Sequence, residues 1–199
     1  RAAHLAKCDL MTSMIFEFGS LQGIMGRYYA YHSGENPAVC IAIEEQYLPR
    51  HAGDILPVTD CGRILSLADK LDTMVGIFAI GQRPTGVKDP YALRRAAIGI
   101  LRLLIETPLD LDLHELLDFT AQELRSKLDA SAASGAVYEY VILRLKGYCQ
   151  DHGISPDQFD AVYAVGSRVP SDIYRRGLAV RDFSLLPEAD SLTAANKRI

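Results

Sequence analysis

Apolar residues recur at intervals of three and four along most of the chain, the spacing that places side chains on one face of an α-helix. The first series consists of Leu5, Cys8, Met11, Ile15 and Phe18. It predicts a single amphipathic helix, which Gly19 ends. Asn36 followed by Pro37 predicts the next start, because the Asn side chain accepts from first-turn amides and proline needs no amide partner there.

The strongest core pattern follows a loop rich in Gly, Pro and Asp between residues 51 and 60. Its apolar positions are Ile64, Leu67, Leu71, Met74, Val75 and Phe78. Gly81 ends this helix, and residues 82–88 are predicted to form a turn. Asp89 then caps a further helix with Pro90 at its first position and a broad apolar face up to Ile105.

The remaining pattern is also helical. Acidic residues at 110, 112 and 115 suit the positive end of a helix dipole, and later starts are expected near Ala136, Ser155 and Pro170. No segment shows convincing strand alternation, so the predicted fold class is all-α. The small residues from Ala130 to Gly135 mark a boundary between a first helical domain, residues 1–130, and a second helical unit, residues 131–199.

Composition narrows the class of protein. Of the 199 residues 49% are hydrophobic and 23% charged, which supplies enough apolar surface for a core and excludes wholesale disorder. The best apolar run, residues 74–80, is far shorter than the roughly 20 residues of a spanning helix. Four widely spaced cysteines fit no zinc motif and are expected to be buried thiols in a reducing cytoplasm.

Positive charge is concentrated in one short segment of an acidic chain. Residues 83–102 carry five basic side chains and one acidic, whereas the whole chain has a formal net charge of −4. Four of the five, Arg83, Lys88, Arg94 and Arg95, surround the predicted turn and the helix start; they are called the basic island below. Free amides at a helix start and guanidinium groups both attract phosphates, so the island is a candidate site for a polyanion backbone.

Two other interpretations of the charged residues stay open. Arg94 and Arg95 could pair with the acidic stretch between Glu106 and Asp118. Asp69 and Asp72, three residues apart on the core helix, could present two carboxylates to a metal or a water, but Lys70 and solvent could equally satisfy them. No paired histidines, phosphate loop or serine nucleophile motif accompanies them.

A family resemblance rests on several blocks in a fixed order. They are Lys7-Cys8-Asp9-Leu10, Glu17-Phe18, Leu21-Gln22-Gly23-Ile24-Met25-Gly26, Tyr28-Tyr29-Ala30, Ala68-Asp69-Lys70-Leu71-Asp72-Thr73, Gly76-Ile77-Phe78, Gly81-Gln82, Pro84-Thr85-Gly86, Lys88-Asp89-Pro90, Leu93-Arg94-Arg95-Ala96, Arg144-Leu145-Lys146-Gly147-Tyr148 and Ala194-Ala195-Asn196-Lys197-Arg198-Ile199. Together they cover nearly all of the chain, which resembles the β subunit of bacterial glycyl-tRNA synthetase.

The resemblance implies an internal fragment of a large cytoplasmic subunit that, with an α subunit, attaches glycine to tRNA at the expense of ATP. In that family two α and two β subunits form a heterotetramer, and the aminoacylation site, with ATP and Mg²⁺, belongs to the α subunit. The β subunit supplies recognition of tRNA(Gly). The fragment is then an inactive piece with no cofactor of its own, and the basic island is expected to bind tRNA backbone.

The resemblance also implies a fold related to the HD superfamily, followed by a truncated entry to the anticodon-binding region. Active HD phosphohydrolases hold a catalytic metal with histidines and aspartates. Here the aspartates Asp9 and Asp69 are present, but Cys8 precedes Asp9 and Gln46 stands where a histidine would serve as a ligand. Two oxygen ligands leave a metal under-coordinated, so we expect a degenerate site with no metal and no catalytic residue.

Two other functions are kept as alternatives. A metal-dependent HD-type phosphohydrolase would be revealed by elemental analysis and a nucleotide-hydrolysis assay. A helical module that holds the α subunit would depend instead on the apolar surface near Tyr28, Tyr29 and Tyr31. The second role is compatible with tRNA binding in one subunit, whereas the first is a strict alternative.

Overall fold

Helices make up every named element in the part of the chain that the computed structural model describes, which is residues 1–85, 88–189 and 192. The α-helices are α1 (Ala2–Leu5), α2 (Ser13–Glu17), α3 (Ile24–His32), α4 (Pro37–Glu45), α5 (Asp60–Ala79), α6 (Leu93–Glu106), α7 (Leu113–Leu124), α8 (Ala133–Asp151), α9 (Pro156–Tyr163) and α10 (Pro170–Phe183). Short 3-10 turns lie at Cys8–Met11 and Gly19–Leu21. The all-α prediction is confirmed.

The central element is α5, which packs against α4, α6, α7 and α8. Its buried face carries Leu67, Leu71, Met74, Val75 and Phe78, as the apolar spacing predicted, whereas Ile64 remains exposed. The core extends from these side chains through α6, α7 and α8 to Ile173 of α10. A smaller cluster of Ala30, Cys40 and Ile43 joins α3 to α4. One continuous core therefore supports the second half of the chain, and α3 and α4 attach beside it.

The predicted domain boundary, Ala130 to Gly135, lies where the chain passes from α7 to α8. Leu117 before this segment and Val141 after it belong to the same buried cluster, and α7 packs directly on α8. The division into residues 1–130 and 131–199 stays a prediction.

Local capping signals determine several helix starts. The Asn36 side chain accepts from the Ala38 amide at 2.9 Å, with Pro37 at the first helical position. Asp112 accepts from the amides of His114 and Glu115 at the start of α7. Ser155 and Gln158 form a reciprocal capping box at the start of α9. The helix starts predicted at Asn36 and near Ser155 and the acidic start of α7 are confirmed, whereas the Asp112 cap and the part of Gln158 in the capping box were not predicted.

The single amphipathic helix predicted from Leu5 to Phe18 is wrong. The chain bends there instead, because Asp9 is only 2% exposed and its carboxylate accepts from the Gly23 amide at 2.6 Å and the Tyr47 hydroxyl at 3.2 Å. A buried carboxylate needs such partners, and a straight helix does not deliver it to them. As a result Met11, which the pattern places on the apolar face, is 89% exposed.

The cysteines divide equally between interior and surface. Cys40 and Cys149 are buried, as expected, whereas Cys8 and Cys61 are exposed, and all four are free thiols. The expectation of four buried thiols is therefore wrong for two of them. The apolar spacing placed Cys8 on the buried face of one continuous helix. Cys8 instead begins a short 3-10 turn, so its side chain is not on that face.

Among the described residues, no helix combines the length and the apolar character needed to cross a membrane.

A buried carboxylate also anchors the loop before α5. Glu45, at the last position of α4, accepts from the Val58 amide at 2.7 Å and from both the amide and the hydroxyl of Thr59. Thr59 in turn caps α5 by accepting from the Gly62 amide at 3.0 Å. Gly62 lies directly against Glu45, and a methyl group placed there lies 2.6 Å from the Glu45 Cβ.

Replacing Gly62 by alanine is therefore expected to destabilise the chain by about 2 kcal/mol, although alanine is the better helix former by about 1 kcal/mol. Gly76→Ala on the same helix is the matched control, since nothing lies within 4 Å of its added methyl group. It should raise stability by roughly 0.5 to 1 kcal/mol. Urea unfolding measures both free energies, and equal effects of the two substitutions would contradict the packing of α4 on α5.

Candidate nucleic-acid interface

The basic island surrounds the connection between α5 and α6, as predicted. Arg83 is exposed after the end of α5, and its guanidinium carbon lies 5.7 Å from the centre of the Phe78 ring. Lys88 is exposed, and its backbone exchanges hydrogen bonds with Thr85 at 2.8 and 3.1 Å. Arg94 and Arg95 occupy the first turn of α6, Arg94 half-buried and Arg95 exposed. The four positive side chains therefore lie on one connection and the helix that follows it.

The start of α6 differs from the prediction. The helix begins at Leu93 rather than at Pro90, because Ala92 adopts a left-handed conformation with φ of 55°. Asp89 still caps it, but from outside the first turn, with its carboxylate accepting from the amides of Leu93 at 2.8 Å and Arg94 at 3.0 Å. These two amides are consequently occupied by a protein carboxylate. Attraction of a phosphate to the island has to come from the side chains.

The acidic stretch between Glu106 and Asp118 has its own basic partners. Glu106 pairs with Arg102 at 2.7 Å, Asp110 with Arg175 at 3.2 Å and Asp118 with His114 at 3.0 Å. In the described residues neither Lys88 nor Arg95 has an ion pair. These two charges of the island are thus available to a ligand.

Asp9 and Asp69, the expected positions of a degenerate HD site, are each bound by protein groups. Asp9 is held by the Gly23 amide and the Tyr47 hydroxyl, and Asp69 pairs with Lys7 at 2.6 Å. Burial, with the carboxylates of Asp9 and Asp69 adding to it, raises the pKa of Tyr47 to about 12. The Tyr47 hydroxyl therefore remains a hydrogen-bond donor at neutral pH.

Cys8 precedes Asp9, and Gln46 stands where a histidine of an HD site was expected. The two side chains have different environments. Cys8 is exposed. Gln46 is fully buried, and its Nε2 donates to the carbonyl oxygens of Ala6 and Ile43, so that it ties α1 to α4. Within the ranges that the structure describes, no three His, Cys, Asp or Glu residues are grouped as metal ligands.

Lys70 is the main feature that the sequence analysis missed. Its position between Asp69 and Asp72 in the sequence suggested that Lys70 pairs with these aspartates in solvent. Lys70 is only 8% exposed, however, and its side chain points inward. Its ammonium donates to the Leu48 carbonyl at 2.8 Å, the Ser66 hydroxyl at 2.7 Å and, more weakly, the Gln46 carbonyl at 3.4 Å. The suggestion that Lys70 satisfies the aspartates is wrong, and Lys7 takes that role for Asp69.

These geometric findings can be compared with known proteins. A family model described as "Glycyl-tRNA synthetase beta subunit" matches residues 1–164. Over all 199 residues the chain is 51% identical to the glycine–tRNA ligase beta subunit of Methylobacillus flagellatus, 51% to that of Chromohalobacter salexigens and 49% to that of Ectopseudomonas mendocina. It covers 28%, 29% and 29% of their respective lengths, less than a third in each case.

The class that emerges is that of subunits of aminoacyl-tRNA ligases, to which all three relatives belong by name. The chain belongs to the glycyl-tRNA synthetase beta subunit family. The alternative of an HD-type phosphohydrolase finds no support in these matches.

Lys70 gives a pH dependence that can be measured. Burial lowers its pKa from 10.5 to about 8, so between these values the unfolded chain holds a proton that the folded chain has lost. Stability contributed by this residue therefore rises with pH across that window, by up to about 3 kcal/mol. The difference in unfolding free energy between the native chain and Lys70→Met should change accordingly from pH 8 to 10, because all other titrations are shared. A difference independent of pH would contradict the low pKa.

Proposed function

We propose that this chain is the part of a glycine–tRNA ligase β subunit that binds the backbone of tRNA(Gly) through the basic island. The observation that carries the proposal is the exposure of Lys88 and Arg95, without ion pairs among the described residues, in a chain that belongs to this family. Lys88 precedes the start of α6 and Arg95 lies in its first turn. Such contacts give affinity that depends on salt and carries no sequence information.

The rest of the enzyme belongs to the same proposal. The aminoacylation site, with ATP and Mg²⁺, lies in the α subunit, and two α and two β subunits assemble in the cytoplasm. The chain by itself neither activates nor transfers glycine and needs no cofactor. Support comes from the family membership and from the names of the relatives, which are beta subunits of glycine–tRNA ligases.

The island is tested by replacing Lys88 and Arg95 together with alanine. Loss of two phosphate contacts should weaken tRNA binding roughly tenfold at low salt and reduce the slope of log affinity against log salt by about 2. Fluorescence anisotropy with labelled tRNA at several salt concentrations measures both quantities.

The matched control replaces Arg125 and Lys127, an exposed arginine and lysine at the end of α7, so that the net charge changes equally. It should leave the slope unchanged. Equal effects of the two double substitutions would mean that only overall charge matters, and unchanged affinity in both would remove the assignment to the island.

A second contact, with the α subunit, is favoured by a separate observation. Tyr28 and Tyr31 on α3 are 53% and 64% exposed, whereas Tyr29 is half-buried. Exposed aromatic side chains of this kind are enriched in protein interfaces, because they bury a large area at little entropic cost. We propose that this surface contributes to binding of the α subunit.

Replacing Tyr28 and Tyr31 together with serine should weaken capture of the α subunit at least tenfold, an effect that persists in high salt because the contact is apolar. A pull-down with purified α subunit at two salt concentrations measures it. Phe119→Ser on α7, where the aromatic ring is also 62% exposed, serves as the control. Full capture by the tyrosine variant would show that the α subunit binds elsewhere.

A further inference from the structure

A cleft of about 400 Å³ opens between the segment before α3, the connection from α4 to α5, α5 itself and the start of α6. Arg50 of the connection, Thr73 of α5, and Tyr91 and Arg95 at the start of α6 all line it. Small-molecule sites in proteins have volumes of roughly 300 to 1,000 Å³. The cleft is therefore large enough for one small ligand.

Positive charge predominates in the cleft. Arg50, Lys70 and Arg95 line it, against one carboxylate, Asp69, which already pairs with Lys7. The Arg50 guanidinium donates to the backbone carbonyls of Ser20 at 3.5 Å and Gln22 at 2.8 Å, and forms no ion pair among the described residues. An anionic group in the cleft meets little opposing negative charge.

Two polar atoms of residues that line the cleft have no hydrogen-bond partner among the described residues. They are Gln46 Oε1 and Arg50 Nε, both shielded from solvent. The Gln46 amide is oriented by its two bonds from Nε2 to backbone carbonyls, so its free atom is the acceptor. Because both atoms are shielded, a ligand reaches them only if these side chains shift, and leaving either atom unsatisfied costs about 1 to 3 kcal/mol.

An aromatic ring completes the set. Tyr91 is 45% exposed and lines the cleft four residues before Arg95. Aromatic rings beside cationic side chains are the usual combination for unpaired nucleotides, because a base stacks on the ring and the phosphate meets the cation. A phosphate cannot stack on the ring, whereas a base can.

We propose that this cleft binds a single nucleotide, with the base beside Tyr91 and the phosphate at Arg95. The nucleotide is an unstacked residue of the tRNA, an assignment that rests on the proposed function, or a free mononucleotide of the same chemistry. The experiments below distinguish the two sources.

The first experiment titrates the chain separately with AMP, GMP, CMP, UMP and inorganic phosphate and follows its amide NMR signals. At least one nucleotide should shift signals around Thr73 and Tyr91 at concentrations at which inorganic phosphate does not. Absence of such shifts, or equal shifts with inorganic phosphate, would overturn the proposal.

Substitutions at Tyr91 and Thr73 test the cleft further and change no residue of the buried core. Tyr91→Ala should weaken nucleotide binding about tenfold, since base stacking on an aromatic residue is worth roughly 1 to 3 kcal/mol. Tyr91→Phe should bind the nucleotide with normal affinity, because its ring still stacks on the base. Thr73→Phe fills the cleft and should abolish binding. Equal affinity in Tyr91→Ala and Tyr91→Phe would overturn the stacking assignment, a result that does not depend on whether Thr73→Phe folds.

Binding of tRNA by the same variants separates the sources. A loss of tRNA affinity in Tyr91→Ala with an unchanged salt slope identifies the nucleotide as part of the tRNA, and unchanged tRNA affinity with weakened mononucleotide binding identifies a free nucleotide. If the chain binds mononucleotides but no tRNA, the proposed function fails and the cleft assignment stands. If tRNA binding depends on Lys88, while no nucleotide shifts the NMR signals of the cleft and no cleft variant changes binding, the cleft assignment fails and the proposed function stands.

Discussion

The buried ammonium of Lys70 is the constraint on which the arrangement of this domain depends. A charge in the interior must be fully hydrogen-bonded, and two of its three partners are backbone carbonyls, those of Gln46 and Leu48. The chain that leaves α4 must therefore turn these carbonyls toward α5. On the other side, Gly99 of α6 lies against the Lys70 side chain, where an added methyl group would be 2.8 Å from Cε. One residue thus sets the positions of the connection, α5 and α6.

Two buried carboxylates complete this framework. Asp9 holds the start of α3 and Tyr47, and Glu45 holds the loop that leads into α5. Each accepts from backbone amides and hydroxyls rather than from a basic side chain, so the cost of burial is offset by hydrogen bonds alone. Asp9 is one of the two residues expected from the sequence to occupy a degenerate HD site. Its oxygens accept from the Gly23 amide and the Tyr47 hydroxyl and so fix the backbone that leads into α3.

The basic island and the cleft share Arg95, and the two have different physical characters. The island is exposed and presents charge to a phosphate backbone, a contact that screening weakens and that is indifferent to sequence. The cleft is recessed and partly aromatic, so a group that stacks on Tyr91 is distinguished from one that does not. In the proposed function the first supplies affinity and the second selectivity. The buried framework around Lys70 places them side by side.

Features that depend on neighbours in the chain were predictable from the sequence. The helix starts at Asn36 and Ser155, the acidic start of α7 and the core face of α5 followed from short spacings, because a helix start or an amphipathic face is decided within one or two turns. The exposed basic island was also visible as a local excess of charge.

The bend at Asp9, the late start of α6 and the inward direction of Lys70 were not predictable from the sequence. Each is decided by groups distant in sequence, such as Tyr47 for Asp9 and Leu48 for Lys70, or by a backbone conformation such as that of Ala92. Only the tertiary structure brings those groups within hydrogen-bond distance, so only it determines which charges are buried and which remain for a ligand.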